Sequence, residues 1–268
     1  LAGPRRRLGR APGKGEHPIR TPLSRLFPFH RSFRKNSAHP QKAKWLKNGQ
    51  AVVPYLPELM GFFLPLLNDT NTKITLNTLE VLSRLVLKMG KGARPMLIVP
   101  HLIEKLGDSK LVVRQAVTRV LCSMMQCNTP APVLNILLQN TRHRSWRIRE
   151  EIVNMIISAC SIFPQKCFDF AQLLQVLLVA LGDQRSRVKF VATEAFAVIN
   201  DVIGRQNLRY LLEKQRPDAR LARVIDIRLE DPTLPHIGSD GLVEHTASEQ
   251  PVGALTSSHG RREKDAKM

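Results

Sequence analysis

A short pattern that recurs four times along the chain limits its fold more than any other sequence feature. Each copy has a polar turn, basic residues and then the start of an apolar run. The clearest copy is LGDQRSRVKFVATEAFA at residues 181–197, where Asp183 precedes Val188 by five positions. The same separation joins Asp69 to Ile74, Asp108 to Val113 and, with histidine in place of aspartate, His143 to Ile148. The chain is therefore built from tandem repeats.

The period of this repeat predicts a solenoid of paired helices. Successive apolar starting positions are 39, 35 and 40 residues apart, a spacing typical of HEAT and armadillo arrays that leaves room for two helices per unit. The predicted pairs are 53–67 with 74–89, 95–106 with 111–127, 130–139 with 146–163, and 168–181 with 186–203. Two further helices are expected at 207–214 and 219–229.

The second helix of each pair is apolar around much of its circumference. In the fourth copy, apolar residues between Val188 and Ile199 occupy well over half of a helical wheel. Such a helix has to be covered on several sides, as the inner helix of a solenoid is covered by its own partner and by both neighbours. We therefore expect an all-α, HEAT-repeat α-solenoid. Its equivalent buried positions are Ile74, Val113, Ile148 and Val188.

Composition divides the chain into an array with a tail at each end. Residues 1–50 hold 13 basic side chains, one acidic side chain and six prolines, which predicts a disordered basic N-terminal tail. The helical array is expected at 51–212 and is followed at 213–245 by an ordered extension that packs on the last repeat. Residues 246–268 are expected to form a disordered polar tail.

The sequence offers no arrangement of residues typical of catalysis or of metal binding. It lacks a Gly-rich phosphate loop, a GxSxG motif and an HExxH motif, and His101 with Glu104 has no third ligand nearby. The four cysteines form no CxxC pair, so reduced, buried thiols are expected. No apolar run approaches the roughly 20 residues needed to cross a bilayer. We therefore expect no enzymatic activity, cofactor, metal, small-molecule substrate or membrane span.

The turn between the two helices of each repeat is basic, although a helix start favours acidic residues. The unpaired N–H groups of the first helical turn carry partial positive charge, so cations placed there suggest a partner that needs them. Because consecutive repeats stack, the turns are expected to align along one edge. The candidate binding residues are Lys73, Lys110, Arg114, Arg142, Arg144, Trp146, Arg147, Arg149, Arg185, Arg187 and Lys189.

Two less specific interpretations of these turns stay open. The basic edge can be a solvated surface without a role. Trp146 lies among cations at the tip of the third turn, where an exposed aromatic would anchor an interface, but it can equally fold back onto the neighbouring repeat.

These turns and the helices that follow them resemble TOG domains, HEAT-like arrays that bind tubulin through the loops within their repeats. The resemblance covers about residues 51–245 and is strongest to the first TOG domain of the crescerin proteins, also called TOG array regulators of axonemal microtubules. It rests on RIREEIV at 147–153, GDQRSRV at 182–188, EAFAV at 194–198, ARLAR at 219–223 and the later GLVE at 241–244.

The resemblance implies a non-catalytic module that binds tubulin and microtubules through the basic turn residues. It also implies a place in the cytoskeleton of the cytoplasm, at the axoneme or basal body of a cilium. A basic tail at 1–50 would then bind microtubules or nucleic acid, or have no role.

Two other functions are weighed against tubulin binding. One is a HEAT-repeat scaffold that holds a peptide, although the inner helices lack the regular Asn and Trp of armadillo peptide grooves. The other is nucleic-acid binding, which the net charge of +19 makes possible. The array lacks the interleaved exposed aromatics that stack on bases, so nucleic acid is the less favoured partner.

Overall fold

The computed structural model describes residues 49–245, and within them ten α-helices form five consecutive pairs. Each pair is joined by a short turn, which makes its two helices antiparallel neighbours. The helices are α1 Leu56–Leu67, α2 Thr72–Met89, α3 Pro95–Leu106, α4 Leu111–Cys127, α5 Pro130–Leu138, α6 Trp146–Ile162, α7 Phe170–Leu181, α8 Ser186–Ile203, α9 Arg205–Gln215 and α10 Ala219–Glu230.

Shorter elements complete the described chain. Single 3-10 helices lie at Gly49–Tyr55, Gly90–Gly92 and Gln165–Cys167. Near the end of the described residues, β1 (His236–Ile237) pairs in antiparallel fashion with β2 (Val243–Glu244). The helical-repeat class is thus confirmed, and this small hairpin is an addition that the sequence did not predict.

Each predicted helix is present, with its ends moved by three residues or fewer. Helix α1 begins at Leu56 because the chain before it, which contains Pro54, forms a 3-10 helix. Helices α9 and α10 pack against α7 and α8, so they extend the array by a fifth pair. Helix α9 also runs across residue 212, where we expected the array to end.

The two tails that we expected to be disordered lie outside the described residues, except that Gly49 and Gln50 open the first 3-10 helix.

The second helices form the centre of the core, as predicted. All nine residues from Val191 to Ile199 of α8 are buried, because α8 packs against α6, α7, α9 and α10. Phe196 is among the largest fully buried side chains in the described residues. A helix enclosed in this way can be apolar on nearly every face.

The repeat register is confirmed at three of its four equivalent positions. Val113, Ile148 and Val188 are each at most 1% exposed, whereas Ile74 is only half-buried. A Cβ atom built on Gly107, at the end of α3, would stand 2.9 Å from Ile148 Cγ1, so the preceding repeat covers this position directly. Among the described residues no helix pair precedes α1, which leaves Ile74 without that cover.

The segment that follows α10 reaches further than the last repeat on which it was expected to pack. His245 does contact Phe190 of α8, but the hairpin also contacts α6 through β2. Asp240 in the hairpin turn accepts a 2.9 Å hydrogen bond from Arg119 of α4, 121 residues earlier. The extension therefore returns across the second helices as far as the second repeat.

Candidate binding edge

The structure places the four turns within the first four repeats side by side. They span residues 68–71, 107–110, 139–145 and 182–185, and we call them, together with the first two residues of the helices that follow, the turn edge. Lys110 Nζ contacts Thr72 Oγ1 of the preceding repeat. His143 Nε2 lies 3.3 Å from Glu104 Oε1. Neighbouring repeats thus touch through their side chains at or beside these turns.

The residue that marks each turn in the sequence holds the turn in shape. Oδ1 of Asp69, Asp108 and Asp183 accepts a hydrogen bond of 2.7–2.8 Å from the backbone N–H two residues later. In the third turn His143 Nδ1 accepts the equivalent bond from the Ser145 N–H at 3.1 Å. Side chains that bond their own backbone two residues on stabilise tight turns. This shared role explains why histidine can replace aspartate in one copy.

Two of the predicted binding residues instead join repeats to each other. Arg114 Nη1 donates to the Asp108 carbonyl at 2.9 Å, and Arg149 Nη1 donates to the His143 carbonyl at 2.6 Å. The same arginines reach the next repeat, where Arg114 Nε lies 3.1 Å from Glu151 and Arg149 Nε lies 2.6 Å from Asp183. Each arginine side chain is only 17% exposed. Both guanidinium groups are thus committed within the array.

The carboxylate partners of these arginines differ in the direction in which the fold shifts their pKa. Burial would raise the pKa of Asp183, but the bonds from Arg149 and from the Arg185 N–H outweigh it, so the pKa is lowered. Burial raises the pKa of Glu151, and the bonds from Asn154 and Arg114 only partly oppose that effect. The folded chain therefore favours the ionised form of Asp183 and the protonated form of Glu151, each relative to its ordinary pKa.

Three further predicted residues are partly engaged. Arg187, 43% exposed, lies 3.0 Å from the buried Glu150, and Lys189 is half-buried. The guanidinium carbon of Arg147 stands 4.8 Å from the ring centre of Trp146, in a cation–π arrangement. The Arg187 and Arg147 side chains reach the surface but are also held, by Glu150 and Trp146 respectively.

Trp146 does not project freely from the turn. Its side chain is half-buried and packs against the hydrophobic core, which corresponds to the folded-back alternative, while its outer face carries Arg147.

The remaining predicted cations are exposed. None of them makes a salt bridge with another described residue, and Lys110 is held only through Thr72. These residues are Lys73, Lys110, Arg142, Arg144 and Arg185. They come from all four turns, so the part of the edge available to a partner is positively charged along its length.

Two exposed apolar residues on the turn edge were not singled out from the sequence. Leu111 and Val112 open α4 with 54% and 50% of their surface exposed, directly before the buried Val113. At the same two positions the other three repeats have Thr72 with Lys73, Trp146 with Arg147, and Ser186 with Arg187. The repeat register was a signal that could have found them, since it places both residues outside the buried position.

The described residues contain no group of three or more His, Cys, Asp or Glu side chains that could hold a metal ion. No helix between residues 49 and 245 is long and apolar enough to cross a membrane. All four cysteines are unpaired, and burial raises the pKa of Cys122 to about 11 and that of Cys160 to about 12. The two buried thiols are thus poor nucleophiles.

Comparison with known proteins gives a consistent set of relatives. No protein-family model matches the chain. The TOG array regulator of axonemal microtubules protein 1 of Mus musculus is 31% identical over 224 residues, which cover 74% of this chain and 13% of that protein. A CLIP-associated protein of Arabidopsis thaliana is 28% identical over 178 residues, 64% of this chain and 12% of that protein. The chain therefore spans about an eighth of the length of these relatives.

Solved structures agree with the sequence comparison. A crescerin TOG-domain structure superposes with a TM-score of 0.64 at 29% identity and covers 78% of this chain and 97% of the solved one. The MAST/Orbit N-terminal domain has a TM-score of 0.59 at 20% identity, a likeness of fold alone. The chain is thus a member of the TOG-domain family, and its sequence is similar to that of the TOG array regulators of axonemal microtubules.

Proposed function

We propose that this chain binds αβ-tubulin along the turn edge, as a non-catalytic module of a microtubule regulator. The observation that carries the proposal is the row of exposed cations, Lys73, Lys110, Arg142, Arg144 and Arg185, supplied by four adjacent turns. The acidic surface of tubulin would meet this row. The exposed pair Leu111 and Val112 lies within the row and supplies apolar contact area at an otherwise charged interface.

The position of these cations favours a binding role over a stabilising one. Lys73, Arg185 and their equivalents lie at helix starts, where a positive side chain is repelled by the helix dipole. A cluster of one sign also raises the rate at which an oppositely charged partner arrives. The cations therefore contribute little to the fold and much to association.

The module would act on microtubules through binding alone. A tubulin-binding array changes polymerisation only if it has different affinities for different conformations of tubulin, since equal affinity shifts no equilibrium. Such a mechanism needs no cofactor and no reacting group.

The cellular setting is proposed from the relatives. One is named a regulator of axonemal microtubules, and the crescerin structure is described as part of a TOG array that regulates microtubules in the primary cilium. We therefore place this chain on the ciliary cytoskeleton, at the axoneme or basal body.

A pair of charge-matched variants tests the proposal. The first combines Lys73→Glu, Arg144→Glu and Arg185→Glu on the turn edge. The second combines Lys91→Glu, Arg94→Glu and Lys166→Glu, three exposed residues in the segments between repeats. Both change the net charge equally, so any difference between them reports position and not total charge.

We expect the turn-edge variant to bind soluble tubulin at least about tenfold more weakly, which corresponds to about 1.4 kcal/mol. Its residual binding should also depend less on salt, because fewer charges remain. The matched variant should stay within about twofold of the parent. Equal losses in both variants, or parental affinity in the first, would contradict the turn edge as the tubulin site. Tighter binding of duplex DNA than of tubulin would favour the nucleic-acid alternative.

A further inference from the structure

The array contains a seam between its second and third repeats. Helix α2 packs closely along α4, and α6 packs closely along α8, but α4 and α6 do not run closely side by side. The first helices bridge this position, since α3 contacts both α5 and α6. The described chain therefore consists of two blocks, α1–α4 and α5–α10, joined through α3 and through the packing of α4 on α5. Between the second helices α4 and α6, the contacts are those of side chains, chiefly the Arg114–Glu151 ion pair.

The segment after α10, residues 231–245, lies over this seam, and we call it the strap. It starts from the second block, where Arg228 donates to the carbonyls of Asp231 at 2.9 Å and Thr233 at 2.7 Å. Arg228 is itself held by two bonds, of 2.6 and 2.8 Å, to the buried Glu194 of α8. The beginning of the strap is thus fixed to the second block.

The middle of the strap is fixed to the first block. Asp240 Oδ2 accepts two hydrogen bonds from Arg119 of α4, 3.2 Å from Nε and 2.9 Å from Nη2. Gly241 follows with a φ of +81°, and a Cβ atom there would stand 2.7 Å from Cys122 Sγ and 3.5 Å from Ser158 Oγ. The backbone at this glycine therefore enters the space between α4 and α6, where a side chain that is not bonded to Cys122 would collide with the Cys122 sulfur.

The end of the strap returns to the second block. His245 Nε2 lies 3.1 Å from Asn154 Oδ1 of α6. The imidazole ring also meets the edge of Phe190 of α8, with ring centres 5.3 Å apart. The strap is therefore attached on both sides of the seam, which a segment that only covered an apolar surface would not need.

We propose that residues 231–245 position the turn edge by holding the two blocks at a fixed angle, with Arg119, Asp240 and Gly241 as the positioning residues. The strap contacts both blocks where their second helices separate, so its release would let them pivot about the first helices. The second and third turns lie on opposite sides of the seam, and their spacing would then vary. In its effect on tubulin this inference rests on the proposed function, whereas its effect on block geometry does not.

The variant Arg119→Glu tests the strap by setting two carboxylates against each other. Spin labels are attached to ketone-bearing unnatural amino acids at Glu58 and Gln175, which are both exposed and lie one in each block. These labels report the distance between the blocks and leave the cysteines unlabelled. We expect a narrow distance distribution for the parent and a clearly broader one for Arg119→Glu. Cys122, buried beneath Gly241 in the parent, should react faster with a thiol reagent. Lys88→Glu, an exposed reversal in the same block, should change neither measurement.

A disulfide supplies the rescue. A Cβ atom at position 241 would be 3.5 Å from Cys122 Cβ, within the range of about 3.5–4.5 Å found in disulfides. Adding Gly241→Cys to Arg119→Glu should restore the narrow distribution under oxidising conditions, and reduction should broaden it again. A residue with only a general structural role would not produce this redox-dependent reversal.

Two outcomes would overturn the proposal. If Cys122 becomes reactive in Arg119→Glu while the distance distribution stays narrow, the strap covers the seam without positioning the blocks. If neither changes, the Arg119–Asp240 contact does not hold the strap.

Tubulin affinity is measured separately in the same variants. It should fall in the loosened variant and recover on oxidation. A loosened variant that binds as well as the parent would refute the effect on the edge. A parent chain that fails to bind tubulin would refute the proposed function and leave the distance result to decide the strap.

Discussion

Replacing Arg149 by methionine should destabilise the array, although sequence reasoning assigned this residue to partner binding. Methionine keeps the apolar stem of the side chain but removes the guanidinium group, which makes bonds of 2.6 and 2.9 Å to Asp183 and one of 2.6 Å to the His143 carbonyl. The two paired side chains are 17% and 10% exposed, so most of the lost interaction is shielded from water.

The size of the effect follows from this burial. Removing one partner of a buried ion pair costs about 3–5 kcal/mol, and the remaining exposure of both groups places Arg149→Met at about 2–3 kcal/mol. For a domain of this size, that loss corresponds to roughly 5–10 °C in melting temperature. Arg185→Met, in the same turn but exposed, should change stability by less than about 0.5 kcal/mol.

Urea and thermal unfolding of Arg149→Met, of Asp183→Asn and of the double variant measure the pair directly. Asparagine at 183 keeps an oxygen that can accept the Arg185 N–H bond, so the cycle isolates the charge contact. We expect a coupling energy of about 1–3 kcal/mol. A loss below about 1 kcal/mol for Arg149→Met, or an equal loss for Arg185→Met, would refute the structural role of Arg149.

The pH dependence of the stability provides an independent test of the Arg149–Asp183 pair. The pKa of Asp183 is lowered in the folded chain from its ordinary value of 3.8, so the folded state favours the ionised carboxylate. Its contribution is therefore complete above about pH 4 and is lost as the pH falls through the lower, folded pKa. The difference in stability between the parent and Arg149→Met should shrink in that acidic window and stay constant near neutral pH.

Three further results are expected. Val188→Asp should unfold the array, because an unpaired carboxylate in a fully buried position costs several kcal/mol, while the total free energy of unfolding is small. Ile74→Asp, at a half-buried position, should leave a folded protein with a lower melting temperature. Equal losses of helical signal by circular dichroism in the two variants would refute the difference in burial. The double variant Leu111→Ser and Val112→Ser should bind tubulin at least about fivefold more weakly, about 1 kcal/mol, with an unchanged melting temperature, and parental affinity would exclude this pair from the interface. Cys160, with its pKa raised to about 12, should resist alkylation at pH 8 until urea unfolds the chain, and rapid alkylation in the native state would contradict its burial.

The helices and the repeat register could be predicted because their signals are local. A turn residue, aspartate in three copies and histidine in the other, is followed five positions later by an apolar one, and it marks a hydrogen bond between a side chain and its own backbone. Such a bond depends on two neighbouring residues and not on the rest of the fold. The half-buried Ile74 departs from the prediction because its cover has to come from another repeat.

The exposure of individual arginines could not be predicted, since it depends on distances between repeats. Arg185 and Arg149 both flank a turn in the sequence, but only Arg149 lies one position beyond the buried residue, where it faces its own turn and the carboxylate of Asp183 34 residues later. An ordered extension was predicted at 213–245, but the path of the strap within it could not be predicted for the same reason. Its contact between Arg119 and Asp240 joins residues that no repeat period relates.

Adjacent glutamates at the start of α6 serve opposite neighbours. Glu150 accepts from Arg187 of the following repeat, and Glu151 accepts from Arg114 of the preceding one. A single inserted or deleted residue between Trp146 and Glu150 would rotate the residues before it by about 100° around the helix axis relative to the residues after it, so the buried Ile148 and the two carboxylates could not all keep their present contacts. The third turn, at residues 139–145, lies outside this helix and can absorb a change of length at its exposed tip. We therefore expect insertions to be accepted in the turn and to disrupt packing in the first turn of α6, only a few residues away.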